Sequence, residues 1–401
     1  RAFEVGNDII LMSTNVSLGV RLIADSYNKG KISEKRLSKS VKKILSLKAR
    51  SGLHNYKEIS PKNILEKVNT PKDSLLYSKA MESSITLVKN SKEIMPLSKN
   101  KKYLHVSFGK NENSEFFTNK TAMYVDIERF NGDDYTSIHK KTDYDAIIIT
   151  YHGSSTSPYA SNIIPDDIVR EIDNISKSNN VILNLFLNPY SLNSFKSIDN
   201  FESIIISYQN NMISQEISAD LMFGVRSFKG KIPVSNNFFK VNHGLAYDKK
   251  EILGFSRPAY EGFDSRKLQY LDSIAIRSID SMIAPAIQML VSKNGKVIYN
   301  KSFGYHTYDK VNKLENNHIF DLSSITKILA TMPLVIQEYE MGNISLDTKL
   351  KDLFPKKKLA DKGEITIKEM LSHYARLTPW IPFYEETLNN KEKPRSRFYK
   401  S

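Results

Sequence analysis

A chain of 401 residues with 40% hydrophobic and 25% charged side chains has an ordinary globular composition and more length than one core usually organises, so two or three domains are expected. No apolar run approaches the roughly 18 residues of a membrane span, and the lack of cysteine excludes a disulfide framework, a thiolate metal site and a thiol nucleophile. The net charge of +14 is mostly lysine scattered through Asn- and Ile-rich text without a named binding motif, so it reads as compositional bias and not as a nucleic-acid surface.

The opening stretch "RAFEVGNDIILMS" reads as a helix tail, a glycine turn and a short buried strand over residues 8–12. The text begins in mid-element and "EKPRSRFYKS" stops without a closing element, so an internal fragment is expected. Val16, Val20, Ile23 and Tyr27 recur at helical spacing before Gly30. Ser33 is placed to cap a second helix whose stripe is Leu37, Val41, Ile44 and Leu45 and whose stop is Gly52. Residues 54–72 are polar, carry two prolines and read as a linker.

From 73 to 244 the runs "ITLVKN", "YLHVSFG", "DAIIIT", "VILNLFL" and "SIIIS" alternate with polar or helix-periodic text. The later runs are apolar at consecutive positions, as in strands buried on both faces, which predicts a mostly parallel sheet with helices on each side. "MISQEISADLMFG" is one such helix, stopped by Gly224, and "GKIPVS" reads as an edge strand that tolerates its proline. "YHGSS", residues 151–155, follows a strand as a loop at the sheet edge and could bind a ligand.

A second linker over 245–262 leads to a helix around 267–283, then to two strand runs joined across Asn294-Gly295, a strong hairpin signal. Next comes "IFDLSSITKILATMPLVIQ", with Leu329, Met332, Ile336 and Tyr339 as a stripe suited to burial and Gly342 as its stop. This helix opens with Ser323, Ser324, Thr326 and Lys327. The hydroxyls are either caps for the orphan amides of the first turn, or they include a nucleophile, Ser324, sharing a helical face with a base, Lys327, three residues on. Nothing in the sequence has a phosphate-cradle pattern, and no cofactor or metal is expected.

Three stretches carry family resemblances. "GKISEKRLSKSVKKILSLKARSGL" and the earlier stretch from Val5 to Met12 resemble the end of the barrel of family 3 glycoside hydrolases. "SITLVKNSKEIMPL" and "LMFGVRSFKGKIPVS" resemble the α/β sandwich that follows the barrel in that family. "FDLSSITKILATMPL" and "ITIKEMLSHYARLTPW" resemble the first half of a β-lactamase-related serine hydrolase of the class C and penicillin-binding type. The order is similar to that of β-N-acetylglucosaminidase and β-lactamase-like fusions of Bacteroidetes-type bacteria.

The resemblance implies an α/β chain made of the end of a (β/α)8 barrel (1–53), a linker (54–72), an αβα sandwich (73–244), a linker (245–262) and an incomplete α+β serine-hydrolase domain (263–401). It implies that Ser324 attacks a carbonyl and that Lys327, its amine freed of its proton by burial or a nearby cation, activates it. Ser323, standing where such enzymes often have a small apolar residue, becomes the capping residue. The Tyr-x-Asn and Lys/His-x-Gly elements of such a site are expected after Ser401, and the glycosidase nucleophile and acid/base before Arg1. Asp8 therefore reads as structural, Ser13, Thr14 and Asn15 as a turn, and His373 as part of a packing loop; Trp380 with Pro379, Pro382, Phe383 and Tyr384 lines a cleft or packs a lid. The implied protein is a bifunctional hydrolase of the cell envelope or periplasm of a Gram-negative bacterium, acting on carbohydrate or peptidoglycan fragments, without nucleic acid as partner. Two alternatives stand beside it: a protein whose serine module alone is active, and a non-catalytic wall-binding protein.

Overall fold

The computed structural model describes residues 1–109, 114–130, 135–140, 143–154, 163–356 and 358–388. The chain divides into two compact units, Arg1–Asn316 and Asn317–Ser401.

The first unit begins with two helices, α1 (Val16–Asn28) and α2 (Glu34–Arg50). Asn15 caps α1 by accepting the Leu18 N–H at 2.9 Å, and Ser33 caps α2 by accepting the Arg36 N–H at 3.2 Å. Gly30 and Gly52 close the two helices in left-handed conformations, as their positions predicted. The strand expected over residues 8–12 is absent, and Leu11 and Met12 are 85% and 89% exposed. An isolated strand leaves its amides and carbonyls unpaired, and among the described residues no strand lies beside this stretch. The polar segment before the sandwich holds a short helix, α3 (Ile64–Val68), and the start of α4 (Pro71–Ser84), where Thr70 and Asp73 form a reciprocal capping box.

The sandwich follows as β1 (Thr86–Asn90), β2 (Tyr103–Gly109), α5 (Glu115–Thr121), β3 (Ile127–Arg129), β4 (Ala146–His152), α6 (Asp166–Ser178), β5 (Val181–Phe186), β6 (Phe201–Ile206) and α7 (Met212–Met222). The sheet order is β1-β6-β5-β4-β2-β3, with β1 antiparallel to β6 and every other pair parallel. The α/β class with a mostly parallel sheet is thus as expected. Successive strand residues face opposite sides. Ile148, Ile182, Phe186 and Ile205 pack with Met81 of α4, Phe117 of α5 and Ile217 of α7. Ile147, Ile149, Leu183 and Ile204 pack with Val169, Ile172 and Ile175 of α6.

"GKIPVS" forms no strand; it is a loop in which Gly230 and Ile232 are buried while Lys231, Pro233 and Ser235 are exposed. Ile232 is fully buried, its N–H donating to the His243 carbonyl and its carbonyl accepting from the Asn242 N–H. Gly230 lies so close to the β1 entry that a Cβ there would sit 2.3 Å from the Ile85 carbonyl oxygen.

Residues 245–262 pack on the sandwich. Leu245 bridges Leu87, Tyr247 bridges Phe228, and β7 (Gly254–Phe255) joins a second sheet. Helix α8 (Ser265–Asp280) follows, capped by Asp264, and then the hairpin β8 (Ala286–Lys293) and β9 (Lys296–Gly304), turned at Asn294 and Gly295 with φ of +53° and +73°. Both turn residues having positive φ is the geometry that an Asn-Gly pair favours. The second sheet runs β7-β9-β8.

The second unit contains α9 (Met332–Glu340), α10 (Leu350–Leu353) and α11 (Ile367–Leu371). Among its described residues Ile367 is the one buried apolar side chain. No helix among the described residues of either unit is long and apolar enough to cross a membrane.

Candidate active site

The segment before α9 is helical in three successive gauges. A 3-10 turn spans Ser323–Ile325, a π turn spans Lys327–Thr331, and the α-helix proper starts at Met332. Pro333 supplies a physical reason, because a proline one residue into an α-helix with more helix before it would clash with the carbonyl four residues back, here Leu329. A wider turn over 327–331 avoids that clash; π turns are rare and are frequently found at functional sites.

No side chain caps any of these three turns, so the hydroxyls are not spent on orphan amides. Ser323 in particular is not the cap it was expected to be: it sits at φ +44°, and its N–H donates to Asp321 Oδ1 at 2.7 Å. The Lys327 ammonium donates to Ser324 Oγ at 3.1 Å. The two side chains singled out by their spacing therefore meet. Both side chains are exposed.

The stripe on α9 is present but uncovered. Leu329 is 61% exposed and Tyr339 53%, and Met332 and Ile336 are exposed as well. Gly342, at φ +75°, ends the helix as expected. His373 lies just past α11 in a left-handed conformation, its N–H bonded to the Met370 carbonyl, and its ring is exposed. Trp380 and Tyr384 stand 6.3 Å apart in a tilted pair, and they and Phe383 are exposed.

In the first unit Asp8 is fully engaged. It accepts from Arg36 Nη1 at 3.0 Å, Ser40 Oγ at 2.5 Å and Lys43 Nζ at 2.5 Å, tying the N-terminal turn to α2. These donors, Lys43 and Ser40 foremost, hold its carboxyl well below the usual range. The structural reading of Asp8 fits this placement, and Asn15, read as part of a turn, caps α1. The "YHGSS" loop leaves β4, an interior strand, at its carboxyl end, beside the point where the winding reverses between β2 and β4. Residues 155–162 of that loop lie outside the described residues.

Two buried polar clusters had no signature in the sequence reading. One runs through the sheet's α5 and α7 face. Thr118 Oγ1 meets His105 Nδ1 at 2.8 Å, His105 Nε2 meets Thr150 Oγ1 at 2.8 Å, Thr150 Oγ1 meets His152 Nε2 at 2.9 Å, and His152 Nδ1 meets Asn210 Oδ1 at 2.8 Å. Asn210 Nδ2 donates to the Gly153 carbonyl and Gln215 donates to Asn210 Oδ1, which makes that oxygen an acceptor. His152 then carries its proton on Nδ1, and the remaining bonds follow in one direction back to Thr118. Burial, with His152 and Arg129 nearby, pushes His105 down to about 3; burial likewise pushes His152 down to about 4. The signal that could have found this cluster is parity: Thr150 and His152 are the polar residues on alternate positions of an apolar strand.

The other cluster centres on Arg226, which donates to Asp220 Oδ2 at 2.9 Å, Glu82 Oε2 at 2.5 Å and Glu261 Oε1 at 3.3 Å. Lys120 lies 3.0 Å from Asp220, and Lys296 of β9 lies 3.4 Å from Glu261. This hub joins α4, α5, α7, the 258–261 turn and the hairpin. Among the described residues no group of three or more His, Asp or Glu side chains is placed to hold a metal ion.

Residues 276–399 match the Beta-lactamase family model. The match begins within α8, takes in the hairpin, and contains the Ser324 and Lys327 pair. Protein flp of Staphylococcus aureus strain MRSA252 is 28% identical over 126 residues, 31% of this chain and 25% of that protein. The chain thus spans about a quarter of the length of the curated relatives it matches. Among solved structures it is similar to the beta-glucoside phosphorylase BglX, at 21% identity and a TM-score of 0.46, over 58% of this chain and 44% of that one. It is also similar to a glycoside hydrolase family 3 beta-N-acetylglucosaminidase from Paenibacillus sp. str. FPU-7, at 20% identity and a TM-score of 0.42, over 58% and 46%. A β-lactamase-type segment therefore follows a sandwich of mixed, mostly parallel topology in this chain.

Proposed function

We propose that Ser324 is the nucleophile and Lys327 the proton acceptor of a serine acyl hydrolase. The observation that carries the reading is the 3.1 Å contact between Lys327 Nζ and Ser324 Oγ inside the β-lactamase-type segment. In the reactive state the amine is neutral and accepts the hydroxyl proton as Oγ attacks an ester or amide carbonyl. The tetrahedral intermediate expels its alcohol or amine, the proton passing from Lys327 to the leaving group, and an acyl ester remains on Ser324. Water then hydrolyses that ester and regenerates the hydroxyl.

The whole protein is, on this proposal, a two-module hydrolase of cell-envelope material. Its first module would act on β-linked N-acetylglucosamine and its second on an acyl or peptide bond in the same polymer. The sequence resemblance of residues 1–53 and 73–244 supports the first part. In a second reading only the serine module is active and that portion serves as a scaffold.

The test is hydrolysis by the full-length protein of a chromogenic acyl ester and of a chromogenic N-acetylglucosaminide. Ser324→Ala should remove ester turnover, and Lys327→Ala should lower it by about 10²–10⁴, the usual contribution of a general base. Ester turnover that survives Ser324→Ala would sink the acyl-transfer reading. Failure to release the sugar chromophore would leave the scaffold reading of the first module.

A further inference from the structure

Ser324 enters its turn through a residue in an unusual conformation. Ser323 has φ +44°, where a residue with a Cβ is crowded by its own backbone. Strain of this kind persists only where neighbouring groups hold it, and it gathers at sites where exact placement matters. Two bonds do the holding here. Asp321 Oδ1 accepts the Ser323 N–H at 2.7 Å, and the Leu322 carbonyl accepts the Ile325 N–H at 2.9 Å. Together they fold the chain tightly around Ser323 and fix the direction in which the next peptide delivers Ser324. On the other side, the π turn beginning at Lys327 sets the amine 3.1 Å from Ser324 Oγ. The nucleophile is therefore framed by two departures from regular helix, one of which depends on a side chain.

We propose that Asp321 is a positioning residue for acyl transfer: its carboxylate holds Ser323 in the left-handed conformation, and through that backbone it sets Ser324 Oγ within reach of Lys327. This rests on the reading of Ser324 as nucleophile. What the geometry requires at residue 321 is an acceptor on a short side chain, not a charge, because the partner is a backbone amide two residues on. It also follows that glycine at 323, which adopts positive φ without cost, makes the acceptor dispensable.

The experiment follows the rate at which a fluorophosphonate labels Ser324 in the full-length protein. Asp321→Ala should slow labelling by about tenfold, equivalent to ~1.4 kcal/mol in the barrier. Asp321→Asn should stay within about twofold of the parent, since its amide oxygen accepts the same N–H. Adding Ser323→Gly to Asp321→Ala should restore most of the lost rate, an outcome that simple loss of stability does not produce. Should Asp321→Ala fail to fold, Ser323→Val takes its place, because a β-branched residue resists positive φ; a similar slowing is expected in a folded protein. Labelling of Asp321→Ala or of folded Ser323→Val at the parent rate, or a folded Asp321→Ala that glycine at 323 does not rescue, overturns the assignment. A parent protein that takes no label at all overturns the nucleophile reading itself and the role of Asp321 with it.

Discussion

At Arg226 one side chain decides whether two carboxylates can stay buried. Its guanidinium is 4% exposed, Asp220 is 2% and Glu261 is 4% exposed. Burial pulls its proton affinity down, and Asp220 and Glu82 more than offset this, leaving the pKa above its ordinary value. A buried ion pair is weak evidence of net stabilisation, but removing one partner strands the other in a low-dielectric interior. Arg226→Met should therefore lower unfolding free energy by about 3–5 kcal/mol, seen as an earlier denaturant midpoint at unchanged slope. A loss below about 1 kcal/mol would mean that Lys120 and Lys296 suffice for the carboxylates. At the same scale, the meeting of Ser324 with Lys327 was legible from a spacing of three residues. The π turn that accompanies it was not, although Pro333 within the helical pattern was its signal.

Among the elements, the strands with consecutive apolar residues announced themselves, and so did the Asn294-Gly295 hairpin, because burial on two faces and a turn of positive φ leave local marks. The three-residue edge strand β3, with Ile127 its one apolar residue, leaves no such mark and exists through its pairing with β2. The strand expected over 8–12 failed for the converse reason: an apolar run specifies a strand only where a neighbour completes its ladder. The polar chain across β2 and β4 carries its own prediction. His105 and His152 stay neutral in the folded state down to about pH 3 and about pH 4, whereas unfolded they protonate near 6.5. Below pH 6.5 the unfolded chain binds more protons, so their stabilising contribution is complete above that pH and is lost as pH falls toward the folded values. Between pH 7 and pH 5 the loss should be on the order of 2 kcal/mol for each histidine. Denaturant unfolding of His105→Gln should show a smaller loss over that interval than the parent by about one histidine's share. Equal losses in the two proteins would show that these rings do not govern the acid limb.

Over the whole molecule, the buried apolar residues concentrate in the sandwich and its attached turn, in two clusters on either face of one sheet. By contrast α1 has no buried residue and α9 has none. Helical stripes are legible from periodicity alone, but periodicity says only which face seeks burial, not what covers it. That is why the stripe of Leu329, Met332, Ile336 and Tyr339 was read correctly as helical and yet lies exposed. The Ser324 and Lys327 pair sits on one of these uncovered stretches, and its proposed chemistry depends on an oxygen that becomes acylated. The most direct measurement is the mass of the proteolytic peptide containing Ser324 after the full-length protein is incubated with a fluorophosphonate and, separately, with penicillin. A covalent adduct located on Ser324, and lost in Lys327→Ala at matched exposure, is the predicted result. An adduct on another residue, or an unmodified Ser324 peptide after prolonged exposure to both reagents, would contradict it.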